Sequence, residues 1–244
     1  VTFAAAAQGV QEGVSHHATK RAGSIAALSI PAVLFILGLR QMQPLATPSQ
    51  GGQQDVITAA HEIFPTPVAY IDHSGMIASF TKANFFMSTW GIEQYQAQGR
   101  PFMPTVLKQY RPPLLVANRS VITPGSLAFS LLLDKDKQLI ESYYQPYWGP
   151  IRIAGAAATL QPGVPMTLRF PFGGRYRLES RKPIRIEGLQ RLPQTIVTVP
   201  DDRPELRMEV DSQFDEAQPV RLLWAEARPA PDELPPTSDL YAPL

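Results

Sequence analysis

The 244-residue chain predicts an α+β fold: a single N-terminal transmembrane helix, an antiparallel sheet with helices, then a small all-β domain (sandwich or barrel) and an extended tail. Three observations carry this. Residues 22–39, AGSIAALSIPAVLFILGL, hold no charge between Arg21 and Arg40. From 55 to 160 the patterning runs strand, strand, helices, then three strands, an order that fits an antiparallel sheet with segregated helices. After Pro162-Gly163, six short segments separated by turn residues have the spacing of a small sandwich or barrel.

Residues 1–21 are small and polar. The uncharged segment that follows spans roughly 27 Å as a helix, close to the thickness of a bilayer core. Pro31 at its centre is better tolerated in a membrane helix than in a soluble one. A buried or partner-covered helix and a signal-peptide core are the alternatives. The span would contact the lipid bilayer through 22–39, in a bacterial inner (cytoplasmic) or intracytoplasmic membrane, with the globular domains expected on the cytoplasmic side. Residues 41–54, rich in Gln, Gly, Pro and Ser, read as a linker.

The globular part is expected from Asp55. Val56, Ala59, Ala60 and Ile63 share one helical face, Asp55 is placed as the N-cap, and Pro65 stops the helix. Residues 68–71 and 76–81 form a hairpin around Asp72-His-Ser-Gly75. Residues 82–98 carry Ala83, Phe86, Met87 and Trp90 at helical spacing. Residues 126–133 and 138–145 are paired strands around the polar turn 134–137, and 151–160 is a further strand rich in small residues.

The run IFPTPVAYIDHSGMIASFTKAN (63–84), the helical stretch closing on Trp90-Gly91-Ile92 and Gly99-Arg100-Pro101-Phe102, the hairpin and the passage Pro146-Tyr-Trp-Gly-Pro-Ile-Arg-Ile-Ala-Gly155 together resemble a PAS domain over 55–160. The resemblance implies a PAS-like antiparallel sheet with helices. The proline-rich stretch 103–123 departs from the family, which has a long ligand-gripping helix there. The family's flavin adducts and thioester-linked chromophore need a cysteine, and this chain has none. Its haem sensors use a histidine ahead of the hairpin, and 99–124 contains no histidine. His61 and His73 are expected to be structural. No cofactor and no metal ligand is therefore assigned.

Six strands are expected at 166–172, 176–179, 183–187, 195–199, 206–210 and 220–225, making 161–227 a separate small β domain. Arg175, Arg177, Arg181, Lys182, Arg185 and Arg191 make it locally basic, as solvated strand faces or as a patch for headgroups or an acidic partner. Residues 228–244 form a proline-rich tail, extended and without a core of its own.

No G-x-S-x-G, P-loop, H-E-x-x-H or G-x-G-x-x-G occurs. Asp72, His73 and Ser74 are hydrolase residue types, but sequence neighbours cannot all converge on one substrate atom. Asp211 to Glu216 lacks the ligand alternation of a calcium loop. Asn118-Arg-Ser120 fits a glycosylation sequon. With 22 basic against 21 acidic residues the net charge is +1, which argues against nucleic acid. Charged residues are only 18%, so some surface is expected to meet something other than water.

Tyr143, Tyr144, Tyr147 and Trp148 are either core or interface anchors. In the tail, Leu234, Leu240, Tyr241 and Leu244 are expected to dock on a partner. The functional expectation is a non-enzymatic, membrane-anchored accessory subunit of a larger complex of photosynthetic or respiratory type, with other protein subunits as partners. A membrane-bound ligand sensor and a bacterial virus structural protein are the alternatives.

Overall fold

The computed structural model describes residues 49–214 and 216–236. Helix α1 (Ser49–Ile63) leads into β1 (Ala69–Ile71) and β2 (Thr81–Lys82). Helices α2 (Thr89–Gln98) and α3 (Met103–Tyr110) precede β3 (Leu114–Val116), and two 3₁₀ helices (Ser120–Ile122 and Leu127–Leu131) precede α4 (Asp134–Tyr143). Nine strands follow: β4 (Tyr144–Trp148), β5 (Ile151–Leu160), β6 (Met166–Arg169), β7 (Gly174–Ser180), β8 (Ile184–Ile186), β9 (Leu189–Arg191), β10 (Ile196–Val199), β11 (Glu205–Glu209) and β12 (Gln218–Trp224).

These strands form an eight-stranded sheet in the order β10-β7-β12-β5-β3-β1-β2, with β4 also on β5, and a four-stranded sheet β6-β11-β8-β9. Alternation along β5 sorts the core. Ile151 and Ile153 face a cluster with α1 residues Val56, Ala60 and Ile63. Ala154 faces the opposite way, toward α2, α3 and α4 through Tyr95, Val106 and Ile140. On that same face Ala156 and Leu160 meet Leu168, Ile184, Leu206 and Met208 of the smaller sheet. Trp224 packs against all three clusters.

The expected fold class is corrected on three counts. Among the described residues no helix is long and apolar enough to cross a membrane, and the span expected at 22–39 lies outside them. Second, the PAS-like antiparallel sheet is not formed. The expected hairpin 68–81 is instead two strands paired in parallel, Ala69 opposite Thr81, and β1 is also parallel to β3. The expected strand pair 126–145 is a 3₁₀ helix followed by α4. The physical reason lies in its spacing: Leu132, Asp136, Ile140 and Tyr144 are all buried at four-residue intervals, a helical stripe disguised by a carboxylate. Ser126 caps the 3₁₀ turn by accepting from the Phe129 N–H, and Asp134 and Asp136 occupy the first turn of α4, where carboxylates are favoured.

Third, 161–227 is not a separate β domain. All six expected strands are present, but β7, β10 and β12 extend the same sheet as β5: Leu222 pairs with both Ala156 and Leu178. At the N-terminal side the helix already runs from Ser49, so Asp55 is not its cap and the end of the expected linker is helical. Burial of Val56, Ala59, Ala60 and Ile63 outweighs the poor helix propensity of Gly51 and Gly52. Within the proline-rich stretch the α-helix is confined to the short α3, with β3 and a 3₁₀ helix after it; Pro104 sits in the first turn of α3 and Arg111, at φ 47°, ends it before Pro112.

Candidate functional site

The parallel strands β3, β1 and β2 end side by side, so the residues after them share one rim. Connections leave β1 toward β2 on one side and, through α2 and α3, reach β3 on the other. Such reversals open a crevice at the carboxyl ends of the strands, the usual ligand position in parallel sheets.

Here the rim is built from Asp72, Asn84 and Asn118, one after each strand. Asp72 is fully buried. Its carboxylate accepts from the Gly75 N–H at 2.8 Å and the Met76 N–H at 2.7 Å, from Lys82 Nζ at 2.6 Å and from Asn118 Nδ2 at 3.2 Å. Asn84 locks the backbone beside it: Nδ2 donates to the Asp72 carbonyl at 2.8 Å and Oδ1 accepts from the Asp72 N–H at 3.2 Å. Asn118 Oδ1 accepts from the His73 N–H at 3.1 Å. Gly75, at φ 81°, gives the chain the left-handed turn that folds it back onto the carboxylate.

The electrostatics are those of a closed network. Burial lowers the Lys82 ammonium from its ordinary range, and the adjacent Asp72 carboxylate pulls it back up. Burial also lowers His73, reinforced by the positive charges of Arg119 and Lys82 and opposed by Asp72. Asp72 spends both oxygens on four donor groups. A carboxylate held in this way organises a loop cluster and is not positioned to take a proton from a substrate.

Beside the network, large apolar side chains reach solvent. The loop after β2 and the start of α2 carry Phe86, 58% exposed, and Trp90, 70% exposed. His73 lies against the Phe86 ring, with centroids 6.4 Å apart. Ser88 caps α2 by accepting from the Gly91 N–H, which fixes Trp90 in the first turn. The adjoining 3₁₀ helix adds Leu127, 93% exposed, and Leu131. Gln96 Nε2 donates to the Leu131 carbonyl, and Tyr95 Oη accepts from the Leu133 N–H, joining α2 to that segment.

Behind the rim a second carboxylate, Asp136, is also fully buried. It accepts from Tyr95 Oη at 2.6 Å and from the Phe102 and Met103 N–H groups at the start of α3, so that α4 caps α3.

The residues expected to anchor partners are placed as follows. Tyr144 is buried, with its hydroxyl donating to the Pro112 carbonyl at 2.9 Å, and Tyr143 packs partly buried against the helical cluster. Tyr147 Oη donates to the Arg228 carbonyl at 2.5 Å and Trp148 Nε1 to the Glu233 carbonyl at 2.9 Å, so both hold the chain's own tail. Leu234 is 92% exposed, and Leu240, Tyr241 and Leu244 lie outside the described residues. Asn118 of the sequon is buried in the Asp72 network and is not a surface acceptor. Of the basic run, Arg177 and Arg185 lie near Glu179, Glu209 and Asp211.

A half-open cleft of about 710 Å³ is lined by Thr167, Glu187, Glu205 and Arg207 on and beside the smaller sheet and by Thr198 of β10, among others. Glu187 there accepts from the Arg207 N–H and Arg203 pairs with Glu205, so much of its polar lining is spent internally.

The sequence places Phe86 and Trp90 at helical spacing with Ala83 and Met87. Their exposure follows from β2 ending at Lys82 and α2 starting only at Thr89. No protein family matches the chain, and no curated protein or solved structure is detectably similar to it.

Proposed function

We propose that the chain is a non-catalytic accessory component of a larger membrane-associated protein assembly, docking on a partner subunit through the surface formed by Phe86, Trp90, Leu127 and Leu131. One observation carries this reading: large apolar side chains stand out from a rim whose polar groups are already bonded to one another. Trp and Phe held on a rigid scaffold lose little side-chain entropy on burial, which is the profile of an interface anchor. The low charged fraction of 18% is in keeping with extensive contact with other subunits or with lipid.

The test is co-purification of the assembly in mild detergent with Trp90→Ala and Phe86→Ala. Both side chains are mostly solvent-exposed, so the variants should melt like the parent. Retention of the partner subunit should fall tenfold or more, equivalent to about 1.4 kcal/mol per decade. Full retention in both variants rules out this surface.

A further inference from the structure

We propose that β10 is an open sheet edge on which a second copy of this chain pairs, strand against strand, across a two-fold axis. This surface is separate from the docking surface above: β10 and β2 are opposite edges of the large sheet, and Phe86 and Trp90 follow β2.

Hydrogen bonding along β7 fixes which groups of β10 turn outward. The Arg175 carbonyl accepts from the Ala225 N–H at 2.9 Å, so Arg175 is turned toward β12. Leu178 is turned toward β10, where its N–H donates to the Thr195 carbonyl at 2.9 Å. Alternation then turns Tyr176 and Gly174 toward β10 as well, opposite Val197 and Val199. The N–H and C=O groups of Ile196 and Thr198 therefore point away from β7. Among the described residues β10 has no second strand partner.

This edge is unguarded. Residues 192–200, LPQTIVTVP, carry no charge, whereas solvated edges are commonly blunted with lysine or other charges. Thr195 to Val199 are all β-branched, the residue type that suits a strand. Outward edge groups are satisfied in register by another extended backbone, and three features make that backbone a second copy. Antiparallel pairing of Ile196 with Thr198 of the other copy, and the reverse, uses every outward group and sets Val197 on the axis with no like charges opposed. The same register carries the exposed Leu192 of the other copy past Pro200, where a cleft of about 710 Å³ opens between Pro165, Pro200 and Leu206. The charged residues of that cleft balance, Arg203 and Arg207 against Glu187 and Glu205, so a second copy meets no field of its own sign. At the far edge of the sheet β2 is only two residues long, so pairing stops at two copies.

The chain has no cysteine, so Val197→Cys gives the full chain a single, nearly buried thiol. Across the axis the two residues 197 form a non-hydrogen-bonded pair with Cα atoms about 4.5 Å apart, within reach of a disulfide. Under mild oxidation in mild detergent, Val197→Cys should form a covalent dimer at least about tenfold faster than Leu234→Cys, although the latter thiol is far more exposed. Adding Thr198→Pro removes an outward N–H and leaves the β7 ladder intact, and should return the rate to the control or below. Thr198→Lys, which keeps the N–H and charges the edge, should do the same. In the unmodified chain, amide exchange at Ile196 and Thr198 should be at least about tenfold slower in concentrated than in dilute protein. A disulfide at 197 no faster than at 234, or a fast one that survives both Thr198 substitutions, would overturn the proposal. Exchange at Ile196 and Thr198 that is independent of concentration would also overturn it; if those amides slow only in the presence of another subunit, the edge belongs to that subunit's strand.

Discussion

Lys82 folds back over the end of its own strand to Asp72: its Nζ lies 2.6 Å from the carboxylate and 2.5 Å from the Asp72 carbonyl oxygen. The pair closes the carboxyl end of β1 against β2, and Asn118 ties in β3 through the same carboxylate. Asp72→Ala leaves the Gly75 and Met76 N–H groups and Asn118 Nδ2 without the carboxylate and removes the counter-charge of a largely buried ammonium, which keeps only the neutral Asp72-position carbonyl and Asn84 Oδ1. Breaking a buried pair in this way costs about 3–5 kcal/mol. Urea unfolding should show a loss in that range, and a loss below about 1 kcal/mol would mean the network is not structural.

His73 sets a pH dependence. Its folded-state affinity for a proton is below that of the unfolded chain, through burial first and then the charges of Arg119 and Lys82, against the opposing pull of Asp72. Stability is therefore full above the ordinary histidine value of 6.5 and declines as pH falls from there toward the lowered folded value. Denaturation midpoints across that window should fall more steeply for the parent than for His73→Gln; parallel slopes would remove His73 as the cause.

Gly155 of β5 packs against the β12 backbone with no room for a side chain. A Cβ there would collide with the Leu222 carbonyl oxygen, at the last residue pair of the two strands, Gly155 opposite Leu223. Gly155→Ala should cost about 3 kcal/mol, the upper end of overpacking. Gly51→Ala, in α1 with nothing within 4 Å, should instead stabilise by about 0.5–1 kcal/mol. Thermal melting of the two variants checks both signs.

Tyr95→Phe removes the hydroxyl that donates to Asp136 and accepts from the Leu133 N–H. Both groups lose a partner, at a cost of about 1–3 kcal/mol. Amide exchange should quicken at the Phe102 and Met103 amides that Asp136 holds; unchanged exchange there would separate Tyr95 from the capping of α3.

The contrast between expectation and structure follows from which residues carry a local signal. The six strands after 161 were legible because each alternates apolar and polar residues between turn residues. Their joining to β5 was not, since sheet order depends on contacts between β5, β12 and β7 far apart in sequence. The strand at 69–71 was legible, but its parallel partners were not, because Asp72-His-Ser-Gly75 reads as a hairpin turn unless Asn84 and Asn118 are known to meet it. Asp136 hid the helix it belongs to by placing a carboxylate on a buried stripe. Trp90 and Phe86 fit helical spacing, and their exposure was invisible until the ends of β2 and α2 were known.

The most direct measurement of the docking reading is site-specific photocrosslinking in intact cells, with benzoylphenylalanine at position 90 and, as comparison, at position 189. Docking through the carboxyl-end surface predicts that position 90 yields one predominant adduct with the same subunit that co-purifies in mild detergent, and that position 189, on the smaller sheet, does not. No adduct at position 90, or the same adduct in equal yield from both positions, would contradict it.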